Sequence, residues 1–523
     1  MNMLLDNMPA LLIAVPLFFA FLIPIIGKFA PKIRDVWIIL ASFVSSLTAV
    51  ITAVTVFTKG TIVYVFGAAA GSPAAPIDSG GIPFRIIFTI DGFCAFMLLS
   101  AAIVSFAVVL YLVSSQKERS GKSELYALYL LLTAGIFGMV STGDLFNFFV
   151  FLEINSLAGA ALVSYHRKGG IAAEGALKYL IVNTVGGLMV LFGIGLLYAQ
   201  YNSLNMAFIA SQMSFTTLNI VALVLFITAL AMKAGSVPFH FATPDAYSVA
   251  PSGITAAMIV ASQAGLYGLF RIVFTLYGDI FNTVTIGWVV IILGVLSMVI
   301  GVTMAIPQKD VKRLLAYHAV SQTGYMLLGV GVALAVLGDP LAMAAFGQTA
   351  MEGGLFHIIN HAMYKGLLFL AVGAVIYRTG VWSLNKMGGL GHNMKWTMIF
   401  FLIGALAIAG IPPFNGFASK LMIYESVFAF NPALSIIAMV VSILTLASFM
   451  KVFHSMFMGP QLPEYAEVKE VPKLMIAGMV ILTIFVIGFG LVPDLVVNNL
   501  ITPAADALIN NGAYITAVLG GGL

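Results

Sequence analysis

The sequence predicts an all-α integral membrane fold of about fourteen transmembrane helices, with two inverted five-helix repeats (helices 4–8 and 9–13) and broken helices 7 and 12. Three observations carry that prediction. Of 523 residues, 61% are hydrophobic and only 8% charged, with a mean hydropathy of +1.07, whereas a soluble domain carries about 25% charge. Apolar runs of roughly 20 residues, the length that spans a bilayer, recur along the chain. An apolar helix interrupted by Gly and Pro beside a lysine occurs twice: at Lys233-Ala-Gly235-Ser-Val-Pro238-Phe239, and at Gly410-Ile-Pro-Pro413-Phe414 with Lys420 just beyond.

In order, the candidate helices are 10–28, 36–58, 88–114, 125–141, 146–165, 174–200, 217–240, 250–275, 282–306, 311–337, 346–377, 394–427, 432–458 and 472–492. The chain divides into 1–115 (helices 1–3, with a loop at 59–87), 124–275 (first repeat), 282–458 (second repeat) and 472–523 (helix 14 and a mildly apolar tail expected at the interface). The 59–87 stretch is rich in Gly and Pro and reads as an external loop with a short hairpin.

Charge placement agrees with this count. Lys28, Lys32 and Arg34 follow the first helix; Lys117, Arg119 and Lys122 the third; Arg167 and Lys168 the fifth; Lys309, Lys312 and Arg313 the ninth. Arg378, Lys386 and Lys395 follow the eleventh, and Lys469 and Lys473 the thirteenth, while the opposite connections hold little beyond Lys59 and Arg85. The positive-inside rule then makes the odd-to-even loops cytoplasmic and places both termini outside a cell membrane crossed many times. Repetition points the same way. Asp144-Leu-Phe-Asn opens helix five as Asp310-Val-Lys-Arg opens helix ten, and Ala176-Leu-Lys178 resembles Ala362-Met-Tyr-Lys365. Because five is odd, a second unit of five helices must run inverted.

Composition also excludes several functions. Cys94 is the single cysteine, so an internal disulfide and an all-cysteine iron–sulfur site are ruled out. Neither a GxGxxG after a strand signal nor a GxxxxGK[ST] occurs, so no dinucleotide or ATP site is expected. The net charge of +4 is thinly spread and gives no nucleic-acid surface. No metal and no cofactor are expected in this chain.

The buried charges carry the functional reading. A lysine at membrane depth costs about 2.5–3.5 kcal/mol even on the lenient insertion scale, and lipid tolerates broken backbone only where it lines protein or water. Glu153, about two turns into helix five, is the natural partner of Lys233, since each charge offsets the other's desolvation. A pair that can be made and broken is a proton switch; a fixed pair that only locks two helices is the alternative. His357, His361 and Lys365 recur every four residues, hence on one helix face, and suit a proton relay or polar glue between helices. Lys420 has no carboxylate nearer in sequence than Glu425 and is placed to load or release a proton toward the exterior, or to snorkel from a helix end. His318 shares a face with Gln322, which suits a connection between the two units or ordinary hydrogen bonding between helices. His240 belongs to the cytoplasmic-side break, as an entry group or an interfacial cap, and Lys178 lies near the membrane surface with a weaker bridging role. Asp91, Glu352, Arg271 and Lys451 are expected near helix ends.

Most of these residues fall in segments that resemble the antiporter-like subunits shared by Mrp-type cation/proton antiporters, complex I and membrane-bound energy-converting hydrogenases. The segments are Gly143–Glu153, Lys233–His240, Asp310–Tyr325, Leu355–Lys365 and Gly410–Lys420, spread over about residues 90–460. The nearest branch is similar to the D subunit of Mrp antiporters and its hydrogenase-complex relatives. The resemblance implies a Glu153–Lys233 pair, a central hydrophilic axis and an exit lysine at Lys420. It also implies partners: other antiporter-like and small membrane subunits, protons, sodium in the antiporter branch, and a peripheral redox module in the redox-driven branch. Helix eight departs from the pattern. Where many relatives have a lysine, this chain has Gln263, which hydrogen-bonds but cannot carry a proton as a charge, and Tyr247 replaces a histidine. The link from Lys233 to the second unit must then use water, His318 or the stripe on helix eleven.

The expectation is a proton-translocating subunit of a multisubunit complex, Mrp D-like. The alternatives are the ion-pumping subunit of a redox-driven complex (a membrane-bound hydrogenase or complex I-like oxidoreductase) and a scaffold that has lost its transport path.

Overall fold

The structure, a computed structural model, describes residues 7–66, 86–116, 121–165, 170–278 and 280–520. Lys117, Arg119, Arg167, Lys168 and most of the expected 59–87 loop lie outside the described residues. Helices form where the apolar runs stand. They are α1 (Met8–Phe29), α2 (Pro31–Lys59), α3 (Gly92–Ser115), α4 (Lys122–Ser141), α5 (Leu145–Val163) and α6 (Gly170–Tyr201). Next come the short α7 (Met206–Gln212), then α8 (Thr217–Lys233), α9 (Ala242–Val249), α10 (Ser252–Tyr277), α11 (Thr283–Ala305) and α12 (Val311–Ala335). α13 (Pro340–Thr379) contains a π-helical turn at Met343–Gly347, and α14 (Lys395–Ala409), α15 (Asn415–Phe430), α16 (Pro432–Phe457) and α17 (Lys473–Leu491) follow. α18 (Thr502–Ile509) and α19 (Asn511–Leu519) end the described chain. Among the described residues, eleven helices are long and apolar enough to cross a membrane, and α8 and α14 are shorter apolar helices. The fold is thus an all-α membrane fold, with one small addition: strands β1 (Ile62–Val65) and β2 (Ile87–Ile90) pair antiparallel at the two ends of the 59–87 stretch.

α10, α12 and the 350–375 part of α13 are buried almost throughout and form the centre of the bundle. α1, α6, α11 and α16 turn large apolar side chains outward, as lipid-facing helices do.

The two breaks have the same local geometry. α8 ends at Gly235 (φ +71°) and α14 at Gly410 (φ +78°), both left-handed, the conformation that glycine adopts at least cost. At the first break Gly235 N bonds Met232 O (3.1 Å) and Ser236 N bonds Ala231 O (2.9 Å); at the second, Gly410 N bonds Ala407 O (3.0 Å) and Ile411 N bonds Leu406 O (3.0 Å). A cis X–Pro bond follows in each, Val237–Pro238 and Pro412–Pro413, before the chain re-enters helix in α9 and α15.

The helix openings echo in the same way. Asp144 caps α5 by accepting from Asn147 N at 2.6 Å, and Asp310 caps α12 by accepting from Arg313 N at 2.9 Å. Each aspartate also bridges to a distant loop, Asp144 to Asn205 and Asp310 to Ser383. The two caps sit at opposite ends of α10. Asp144 lies beside the β-hairpin and the loop leading to α7, while Lys312 next to Asp310 reaches the Ala250 carbonyl just ahead of α10.

Several charges stand differently from expectation. Lys312, grouped with loop lysines, is 3% exposed and donates to Ala250 O, and Lys122 and Arg34 are buried beside Asp35. Asp91 and Arg271, expected separately near helix ends, form one buried ion pair, Oδ1 to Nη2 2.6 Å. The tail is not confined to an interface: Ala504, Ala505, Leu508, Tyr514 and Val518 pack into the core. Hydropathy marks a lysine near a helix end as solvated, but packing of α12 against the α9–α10 link encloses Lys312, which then needs a carbonyl to satisfy it.

Candidate functional site

Lys233 is the last residue of α8, and the break after it points its side chain across the bundle to α5. Its Nζ donates to Ser156 Oγ at 2.5 Å and stands 3.5 Å from Glu153 Oε1. The Lys233 side chain is 6% exposed and that of Glu153 24%. Ser156 lies three residues after Glu153, so both face α8 from one side of α5. Glycines make the space: a Cβ on Gly187 of α6 would lie 2.0 Å from Glu153 Oε1, and one on Gly265 of α10 would lie 3.2 Å from Lys233 Cβ. A cavity of about 10 Å³ adjoins the lysine, lined by Asn155, Ser156, Tyr179, Asn183 and Lys233 among others. That is close to the room one water needs, and Asn155 Oδ1 is buried beside it without a protein partner.

A second group gathers around α13. His357 contacts Ser419 Oγ through Nδ1 (3.0 Å) and Gln322 Oε1 through Nε2 (3.1 Å), with the Tyr364 hydroxyl 3.1 Å away. His361 Nδ1 lies 2.9 Å from Gln263 Nε2, and Lys365 Nζ donates to Leu315 O at 2.6 Å. Lys420 Nζ donates to Ile408 O (2.7 Å) and Ser442 Oγ (3.0 Å) and lies 4.6 Å from the centre of the Tyr325 ring. All four of these side chains are buried, and among the described residues neither lysine has a carboxylate within ion-pair distance. A lysine bound only by carbonyls and hydroxyls can give up a proton and still keep its nitrogen bonded.

His318 and Gln322, though they share a face, reach different helices. His318 Nε2 meets Ser448 Oγ of α16 at 2.8 Å, and Gln322 meets α13. Phe449 lies against both the His318 ring (4.8 Å between centres) and the Lys365 ammonium (5.5 Å).

The structure separates Lys178 and His240 from both groups, and Gln263 from the first of them. Lys178 is half exposed and pairs with Glu174 (2.7 Å) and Asp245 (2.9 Å), and Asp245 also pairs with Arg313 (2.8 Å). His240 is half-buried near Tyr317, ring centres 6.4 Å apart. Gln263 is on the far side of α10 from Lys233: Ala261 and Gly265 line the lysine cavity, while Gln263, two residues off, faces Ile358 and His361. α10 is thus a wall between the two groups.

Sequence reasoning did not single out Ser156, Gly187, Tyr325, Ser419 or Ser442. The i,i+3 spacing from Glu153 marks Ser156; nothing local marks the others, which lie on helices remote in sequence.

Residues 142–445, which hold both breaks and every predicted site residue, match the membrane-spanning domain family of NADH:quinone oxidoreductase and Mrp antiporter subunits. The chain belongs to this family. The D subunit of the Na(+)/H(+) antiporter of Alkalihalophilus pseudofirmus is 34% identical to it over 454 residues, 84% of this chain and 86% of that one. Among solved structures, a chain of the Mrp complex from Dietzia sp. superposes with a TM-score of 0.84 at 28% identity, covering 99% of this chain and 100% of that one. A chain of the membrane-bound sulfane sulfur reductase, an archaeal respiratory membrane complex, gives the same TM-score at 30% identity, with 98% and 99% covered. The antiporter/oxidoreductase resemblance is therefore borne out, and family membership makes this chain a multi-pass antiporter-like membrane subunit.

Proposed function

We propose that this antiporter-like subunit translocates protons within a multisubunit membrane complex of the Mrp type, beside other membrane subunits. The observation that carries the reading is Lys233 at a helix break, poised between Glu153 and Ser156 next to a water-sized cavity. Closer approach of Glu153 favours the ammonium; withdrawal to the serine favours the neutral amine. Protons reach this pair near the α8 break, beside His240 and the Lys178–Asp245 ion pair, pass by water to the His357–His361–Lys365 stripe with His318 alongside, and leave by Lys420. Gln263 serves this path as a hydrogen-bonding group and not as a charge carrier. The path divides between units 124–275 and 282–458, inverted relative to one another, with 1–115 and 472–523 flanking them. All fourteen helices cross a cell membrane, with both termini outside. The matching breaks and caps support the repeat, and the caps at opposite ends of α10 support the inversion.

The drive comes from partners. Exchange with sodium under the membrane potential is the first reading, and the equal likeness to a respiratory reductase chain supports redox drive by a peripheral module as the second. The test is proton flux in vesicles holding the purified complex. Glu153→Gln and Lys233→Ala should each abolish it; wild-type flux in both would sink the reading.

A further inference from the structure

Gln263, Tyr267 and Arg271 follow at four-residue intervals on α10 and share one face of it. The face begins at the bundle centre, where Gln263 Nε2 donates to Ile358 O at 2.8 Å beside His361. It ends in the ion pair of Arg271 and Asp91, whose side chains are 2% and 4% exposed. Between them, Arg271 Nε donates to the Tyr267 hydroxyl at 3.3 Å. Eight helical residues rise about 12 Å, enough to carry this stripe from the centre to the face that bears the β-hairpin. Asp91 directly follows β2 there.

The stripe is polar but incompletely bonded. Gln263 Oε1, Arg271 Nη1 and Asp91 Oδ2 are all buried without a hydrogen-bond partner among the described residues. Buried polar atoms of this kind are satisfied by ordered water, and three of them along one face make places for a water file. The walls are aromatic: the guanidinium lies 5.5, 5.4 and 4.9 Å from the ring centres of Phe93, Tyr267 and Tyr514.

We propose that this stripe is a second proton-release branch, leaving the central axis at Gln263 and His361 and reaching the hairpin face through Tyr267, Arg271 and Asp91. It rests on the proton-translocating reading above. Once the central axis has loaded His361 as the imidazolium, one of its N–H bonds breaks and the proton passes through water to the Asp91 carboxylate, where an O–H bond forms and the neutral imidazole is left behind. Protonated Asp91 loosens its hold on Arg271, and loss of the proton to water at the hairpin face restores the pair. The groups that face Asp91 are Cys94 on its own helix, Arg271 and Tyr267 from α10, and Tyr514 from α19.

The test uses the whole complex, purified through a tag on this chain and reconstituted in liposomes, with decay of an imposed pH gradient read by an internal dye. Tyr267→Phe removes one hydroxyl, and Asp91→Asn removes the titrating group while keeping its shape. Each should assemble and lower flux per complex by roughly threefold or more. Wild-type flux in both Tyr267→Phe and Asp91→Asn, with Glu153→Gln inactive, overturns the branch and leaves the proposed function standing. Wild-type flux in both Glu153→Gln and Lys233→Ala overturns that function instead. Should Asp91→Asn fail to assemble, Tyr267→Phe alone decides.

Discussion

Lys420 folds back across its own helix break onto the carbonyl of Ile408, Nζ to O 2.7 Å. Ile408 stands two residues before Gly410, as Lys233 stands two before Gly235. The second break therefore gains from α15 an ammonium near the point where the first carries its own lysine. Its surroundings differ: Ser442 and the Tyr325 ring in place of a carboxylate.

That difference makes Lys420→Arg informative. Arginine keeps the charge and the donors but does not deprotonate in proteins. Vesicle proton flux should fall at least about tenfold, equivalent to about 1.4 kcal/mol on the barrier, while the complex still assembles. Wild-type flux would mean that Lys420 only satisfies the freed carbonyl.

Gly187 tests the first group without touching a charge. A methyl at this position would press on Glu153 Oε1, the far end of a flexible side chain, so the carboxylate should move and the fold survive. Gly187→Ala is expected to reduce flux by roughly tenfold. Gly195→Ala, on the same helix with nothing within 4 Å of the added carbon, should behave as wild type.

Gln263→Leu removes the bonds to Ile358 O and His361 in nearly the same volume. The stripe on α13 should lose its polar contact with α10, and flux should drop by roughly threefold or more. Normal flux would place the route between the units elsewhere.

Asp245 holds α9 to both α6 and α12 through Lys178 and Arg313. Asp245→Asn should lower the thermal midpoint of the purified complex by a few degrees in low salt. The gap from wild type should close near 1 M salt, where screening acts over about 3 Å. A gap insensitive to salt would show that Asp245 acts through packing.

The sequence alone determined the helices, both breaks and the costly lysines. Apolar run length, Gly–Pro breaks and a stranded charge are properties of a few neighbouring residues, so each is legible locally. Glu153 and Lys233 could be paired in advance because two isolated charges in one apolar chain have few other ways to lower their cost. Tertiary structure decided which charges are shared, exposed or walled off. Ala176-Leu-Lys178 and Ala362-Met-Tyr-Lys365 read alike, yet Lys178 lies among surface carboxylates and Lys365 is buried on a carbonyl. Asp91 and Arg271, 180 residues apart, close into one ion pair, and α10 turns Gln263 away from Lys233 toward His361. These outcomes depend on how each helix rotates and how closely it packs. Hydropathy carries little of that, because in lipid the choice between neighbours rests on fit and hydrogen bonding rather than on escape from water.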